Sequence, residues 1–255
     1  MAGVFPLLSM HHFFERIHEK SRQVEVAPVV IVALGDSVTQ GVMEHHQLDG
    51  EGVYHRVLQR ELEAYYPTTT FSTINAGVSG GSVPQALDRL DRDVIRHQPD
   101  LVLVAFGLND SMGGEKGLSG FEDAVEEIVS RIRRETQAGV VLVTPPFMAH
   151  RRSFRIHPEH EAFADAIIHA QTSGMLARYA ESIRRIAIAH TVILADVHRE
   201  WQRMAADGLD TDVWLINGLN HPDRRGHKLA SQVIFARLLA LSAEIESAAL
   251  PNPLQ

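Results

Sequence analysis

Short apolar runs rich in Val, Ile and Leu alternate along this chain with segments of helical period, and that alternation restricts the fold more than any other feature. The runs fall at 29–34, 70–74, 101–106, 140–144 and 192–195. Each is too short for a buried helix and too uniformly apolar for a strand with one wet face, so each reads as a strand of a sheet covered on both sides. Between them Tyr54, Val57, Leu58, Leu62, Tyr65 and Tyr66 share one helical face, Val83, Ala86, Leu87, Leu90 and Val94 a second, and Phe121, Val125, Ile128, Val129 and Ile132 a third. Strand and helix taking turns predict an α/β protein, a doubly wound parallel sheet of five strands with right-handed crossovers.

At 255 residues the chain is read as one domain, with an N-terminal extension at 1–25, a flap at 149–173 and a frayed tail at 249–255, where Pro251 and Pro253 bar a helix. A net charge of -8 argues against nucleic-acid or anionic-lipid partners, which favour clustered Lys and Arg. No stretch is long and apolar enough to insert in a bilayer. With no cysteine, thiolate catalysis and zinc ribbons are excluded. The opening residues do not resemble a secretory leader, so a cytoplasmic location is expected.

In open α/β sheets, ligands collect beyond the carboxyl ends of the strands. The first strand ends in Gly35-Asp36-Ser37, the second leads into Asn75-Ala76-Gly77-Val78-Ser79-Gly80-Gly81, and the third into Gly107-Leu108-Asn109-Asp110. A serine hydroxyl needs a base to take its proton and preplaced donors for its oxyanion. His221, in Asn220-His221-Pro222, supplies an imidazole just before a late helix, because proline suits the first helical turn. His227 reads as a structural histidine bonded to a neighbouring loop, and Asp36, Asp110 and Asp196 read as loop-organising carboxylates. Ser79 is a rival nucleophile, since residues 77–81 fit G-x-S-x-G, but the strands that should precede such an elbow are missing. A non-catalytic phosphate cradle on the same glycine loop is a second rival, without the lysine of a P-loop.

The blocks GDSVTQG, NAGVSGG, GLND and HPDRRGH, in that order across about 29–240, resemble the SGNH hydrolase superfamily, the GDSL esterases and lipases. The resemblance implies a flavodoxin-like three-layer α/β/α sandwich, no cofactor, and an acyl-enzyme reaction on an ester. It implies Ser37 as nucleophile, Ser37 and Gly80 amides with the Asn109 side chain as oxyanion donors, and His221 as general base. The family places an aspartate three residues before that histidine, where this chain has Gly218. A neutral acceptor, the side-chain carbonyl of Asn217 or Asn220 or a main-chain carbonyl near Gly218, is expected ahead of a displaced Asp212 or Asp223.

Asp36, Met43, Ser79, Asp110 and Met112 are expected against the substrate, with His45, His46, the loop 112–117 and the flap as further walls. Few large apolar residues occupy the first loops, which points to short acyl groups, with acetyl on a sugar in view; a lysophospholipase or thioesterase of the same family is the alternative. Metal is not expected: His157, His160 and His169 do not fall at a zinc spacing, nor do the pairs His11-His12 and His45-His46. Activity is expected to rise with pH through the ordinary histidine value of about 6.5.

Overall fold

The β-branched runs become five parallel strands in a computed structural model that describes residues 5–45 and 47–249. They are β1 (Val29–Gly35), β2 (Phe71–Gly77), β3 (Leu101–Ala105), β4 (Gly139–Val143) and β5 (Ile193–Ala195), in the order β2-β1-β3-β4-β5. The helices are α1 (Phe5–Arg22), α2 (Ser37–Gln40), α3 (Tyr54–Tyr65), α4 (Val83–Asp88), α5 (Leu90–Asp93), α6 (Leu108–Ser111), α7 (Gly114–Glu135), α8 (Glu161–Thr172), α9 (Met175–Ala189), α10 (Val197–Ala206) and α11 (Arg224–Ala249). His46 and the tail expected beyond 249 lie outside the described residues.

Successive strand residues face opposite sides of the sheet, and the two cores follow that period. Val29, Ile31 and Ala33 of β1, with Leu101 and Leu103 of β3, pack under Leu58, Leu62, Ile234 and Leu238 from α3 and α11. Val32 and Leu34, with Val102 and Val104, pack under Phe121, Ile128, Ile132 and Ile183 from α7 and α9. The result is the three-layer sandwich that the sequence predicts.

The segment expected as an extension joins the first of these cores. Met10, Phe13, Phe14 and Ile17 of α1 stand at the spacing of one helical stripe and are buried against the sheet. At about 2 kcal/mol for each large apolar side chain taken from water, that stripe is a substantial part of the core. β4 opens on Gly139 because a Cβ there would run into Met10 Sδ. Asp100 ties the same corner, its carboxylate accepting from Val30 N–H at 2.7 Å and from Arg16 Nε at 3.3 Å.

Register brings the functional loops to one rim. Gly35 pairs with Gly77 on one side and with Ala105 on the other, so the loops after β1, β2 and β3 emerge side by side. Both glycines are required by close approach: a Cβ at Gly35 would strike Thr39, and one at Gly77 would strike the backbone of Gln40. α2 can therefore lie directly on the strand ends. The 149–173 segment forms a loop, a 3-10 turn at Pro158–His160 and α8, whose Ala164, Ile167 and Ala170 pack with Val38, Leu108 and Leu219 beneath that rim.

Candidate active site

β1 delivers Asp36 and Ser37 to the rim by stopping in a helix cap. Asp36 is the N-cap of α2, its Oδ1 accepting from Val38 N–H at 2.9 Å, and Gly41 ends the helix in the left-handed region at φ 92°. Ser37, the first helical residue, keeps a nearly buried side chain. The Asp36 carboxyl turns inward, away from the rim. Burial pushes its pKa up to about 7, against the bond from Val38, and the nearby Asp110 charge adds to the rise. Asp36 thus caps α2, as the loop-organising reading has it, and does not line the cleft where substrate contact was expected.

His221 reaches Ser37 from a loop that Asn217 organises. Asn217 Oδ1 accepts from the N–H groups of Leu219, Asn220 and His221, each at 3.0 Å, and its Nδ2 donates to Asn220 Oδ1 at 3.0 Å. Both asparagines spend their side chains on the loop and each other, so neither is the expected acceptor for the ring. The ring instead lies 2.9 Å through Nε2 from Ser37 Oγ and 3.0 Å through Nδ1 from the main-chain oxygen of Met43. A carbonyl can only accept, so Nδ1 carries the proton and Nε2 presents its lone pair to the serine hydroxyl. The acceptor is a main-chain carbonyl from Met43, not from the loop near Gly218.

Met43 lies in the loop after α2, pinned where Met43 N–H donates to Gln47 O at 2.9 Å and Asp49 N–H to Gly41 O at 2.8 Å. Its side chain is buried, so Met43 meets the site through its backbone and not, as expected, through substrate contact. The two displaced aspartates are engaged elsewhere. Asp212 accepts from the His150 ring at 3.0 Å, and Asp223 from Arg225 Nε at 2.9 Å. Gly218 has φ 69°, and a Cβ there would collide with Ser153 Oγ and crowd Arg155 Cβ. An aspartate at that position would strain the left-handed backbone and displace Ser153.

Burial is the main influence on His221 and depresses its pKa to about 4, with the Met43 carbonyl opposing and the charge of His160 reinforcing. No carboxylate raises it back.

Gly80 and Asn109, expected as oxyanion donors, line the same cleft as Ser37. Gly80 has φ 72° and open space where a side chain would be, and no hydrogen bond within its loop uses its N–H. Asn109 Nδ2 donates one hydrogen to Gly81 O at 3.0 Å, which leaves its second hydrogen free to point into the cleft. Asp110, by contrast, accepts from Val83 N–H at 2.9 Å and Gly107 N–H at 3.1 Å, tying α4 to the loop before α6, and is not among the residues lining the cleft. Ser79 does line the cleft, its N–H donating to Gln40 Oε1 at 2.9 Å, while the imidazole at 221 pairs with Ser37 instead. His227 is buried with Nδ1 accepting from Tyr54 N–H at 3.3 Å, and Asp196 caps α10 and pairs with Arg184.

The cleft has a volume of about 470 Å³ and is lined by Ser37, Gly80, Asn109 and His221 together with Ser79, Ser82, Gln85, Met112, His160, Phe163, Ile167 and Leu219. The expected wall from 149–173 is present in His160, Phe163 and Ile167. Phe163 and Gln85 escaped the sequence reading; an apolar residue on the outward face of a helix was the only signal.

The GDSL-like Lipase/Acylhydrolase family profile matches residues 33–229. An acetylxylan esterase from Geobacillus stearothermophilus is 28% identical over 130 residues, covering 45% of this chain and 58% of that protein, so the chain spans little more than half the length of this relative. The structure is similar to Axe2, an acetylxylan esterase from the same organism, with TM-score 0.62 and 19% identity over 82% of this chain and 93% of that one. It is similar also to LAE5, described as an alpha/beta hydrolase enzyme from the metagenome of Lake Arreo, with TM-score 0.62 and 24% identity over 86% of this chain and 97% of that one. With four motif blocks meeting at one cleft and a profile that spans most of its length, the chain belongs to the GDSL-like lipase/acylhydrolase family.

Proposed function

We propose that this chain is a serine ester hydrolase working through an acyl-enzyme, and that its substrates are small O-acyl esters, foremost acetyl groups on a carbohydrate. The observation that carries the reading is the 2.9 Å contact between Ser37 Oγ and His221 Nε2 at the floor of an open cleft. In the reaction, Ser37 Oγ attacks the ester carbonyl while His221 Nε2 takes its proton. The oxyanion is held by the N–H groups of Ser37 and Gly80 and the free amide hydrogen of Asn109. His221 returns the proton to the leaving alcohol as the acyl C–O bond breaks, then activates a water that releases the acid and regenerates Ser37.

The carbohydrate part rests on the cleft wall and on the named relative. Ser79, Ser82 and Gln85 offer hydroxyl and amide groups to sugar hydroxyls, and Phe163, 59% exposed at the mouth, offers an aromatic face to a pyranose ring. The relative matched by sequence is called an acetylxylan esterase.

The test is acetate release from acetylated xylo-oligosaccharides beside a panel of nitrophenyl esters of rising chain length, with organophosphonate labelling of the wild type and of Ser37→Ala and Ser79→Ala. The reading expects turnover on acetyl esters, a fall with chain length, and label and turnover lost with Ser37→Ala but kept with Ser79→Ala. Preference for long acyl chains would overturn the substrate class, and activity surviving Ser37→Ala would overturn the mechanism.

A further inference from the structure

Among the described residues, a group of three metal-ligating side chains outside the catalytic constellation joins two segments far apart in the chain. We propose that His45, Glu159 and His157 form a transition-metal site, suited to Zn²⁺, that clasps the loop following α2 to the segment leading into α8. One ligating atom from each residue lies within 4.8 Å of the others. His45 Nε2 is 3.5 Å from Glu159 Oε2, close to the roughly 3.3 Å edge between two ligands of a tetrahedral zinc with bonds of about 2.0–2.1 Å.

The His45 and His157 rings face each other with centroids 3.7 Å apart and planes 4° from parallel. Lone pairs in the planes of stacked rings do not converge, so the proposed site requires each ring to turn about its Cβ–Cγ bond toward Glu159. A competing bond, Glu159 N–H to His157 Nδ1, is long at 3.3 Å and is readily exchanged for a metal. His160, its ring centroid 5.2 Å from that of His45, stands ready to give a further nitrogen, or water completes the coordination. Imidazole and carboxylate donors without thiolate favour Zn²⁺ over Mg²⁺ or Ca²⁺. Glu159 has no Lys or Arg partner among the described residues, so its charge is available to a cation.

The sequence could not display this site, because the histidine spacing within 157–169 is irrelevant when one ligand comes from position 45. The clasp is structural. It ties the loop that carries the Met43 carbonyl, which holds His221, to the segment that leads into the His160, Phe163 and Ile167 wall of the cleft.

Zn²⁺ alone is titrated calorimetrically into chelator-treated, tag-free protein, with Co²⁺ absorption to read geometry and melting to read stability. Wild type should bind one Zn²⁺ per chain, show the intense visible bands of tetrahedral Co²⁺, and melt roughly 5 °C higher at saturation. His45→Ala, His157→Ala and the exposed Glu159→Gln should each weaken binding about tenfold or more, while His11→Ala should not. No saturable binding below about 1 mM, or binding unchanged in all three variants, would overturn the site. None of these readouts uses ester turnover, so their failure leaves the hydrolase reading standing, and the converse holds.

Discussion

The main-chain oxygen of Met43 lies 3.0 Å from His221 Nδ1, in the position that a carboxylate occupies in a Ser-His-Asp triad. A carbonyl fixes the tautomer and ring orientation as a carboxylate does. It brings no full negative charge, however, so the imidazolium formed during attack is less stabilised, and the Met43 carbonyl offsets only part of the burial that lowers the His221 pKa to about 4.

A pH profile follows from that arrangement. The base works when neutral, so kcat/KM on an acetyl ester should hold steady from mildly alkaline pH down to about 5 and fall only as pH drops through about 4. This replaces the expectation of a midpoint near the free-histidine value of about 6.5. Rates taken after brief jumps from neutral pH separate titration from unfolding. A midpoint at or above about 6.5 would mean that a carboxylate reaches the ring in solution.

Stability should begin to fall at higher pH than activity does, from the unfolded histidine value of about 6.5 downward. Burial lowers His55, His198 and His221 to about 4 and His227 to about 3. Between the unfolded value of about 6.5 and these folded values the unfolded chain binds more protons, so acid favours unfolding. Asp36, raised to about 7 mainly by burial, and the raised Asp110 act in the opposite direction, since there the folded state holds the extra proton. Four histidines against two carboxyls leave a net loss. The urea midpoint should drop between pH 6.5 and 4.5, and a constant or rising midpoint would contradict the burial of these rings.

Gly218→Asp tests whether the missing acid can simply be written back. The left-handed backbone at 218 and the collision of a Cβ with Ser153 predict a loss of about 1–2 kcal/mol and no gain in kcat. Thermal melts and steady-state kinetics read both. A faster enzyme of unchanged stability would show that the loop relaxes to place a carboxylate behind His221.

On the proposed mechanism, Asn109→Ala removes an oxyanion donor while leaving Ser37 and His221 in place. The expected loss is about 10²–10³ in kcat with KM little changed, because the interaction strengthens only as charge develops on the carbonyl oxygen. A rise in KM alone would assign Asn109 to substrate binding and leave the oxyanion to Gly80 and Ser37.

Much of this architecture was legible because it rests on side-chain type at fixed period. Val29, Ile31 and Ala33 face one layer, and Val32 and Leu34 the other, as strict alternation demands. Ser37, Gly80, Asn109 and His221 were legible because each has a side chain, or lacks one, for a chemical reason, and the fold brings all four to one cleft. The acceptor behind His221 was not, because a main-chain carbonyl leaves no mark on residue identity. Asp36 and Asp110 read both as loop-organising carboxylates and as residues against the substrate; each is occupied with backbone N–H groups of the rim, as the first reading has it.

The N-terminal helix was legible too, had Met10, Phe13, Phe14 and Ile17 been read as a stripe and not as an extension, and its energetic weight is open to measurement. Phe13 is fully buried in the cluster that holds β1, β3 and β4 against α11. Truncating it removes the transfer energy of the ring and leaves a cavity that a close-packed sheet face cannot collapse to fill. Phe13→Ala should therefore cost about 3–5 kcal/mol by urea unfolding. The site lies at the opposite, carboxyl-end rim, so kcat on an acetyl ester at 25 °C should stay within about twofold of wild type, as expected for uncoupled positions. A stability change below about 1 kcal/mol would mean that α1 is an appendage that the sheet does not need.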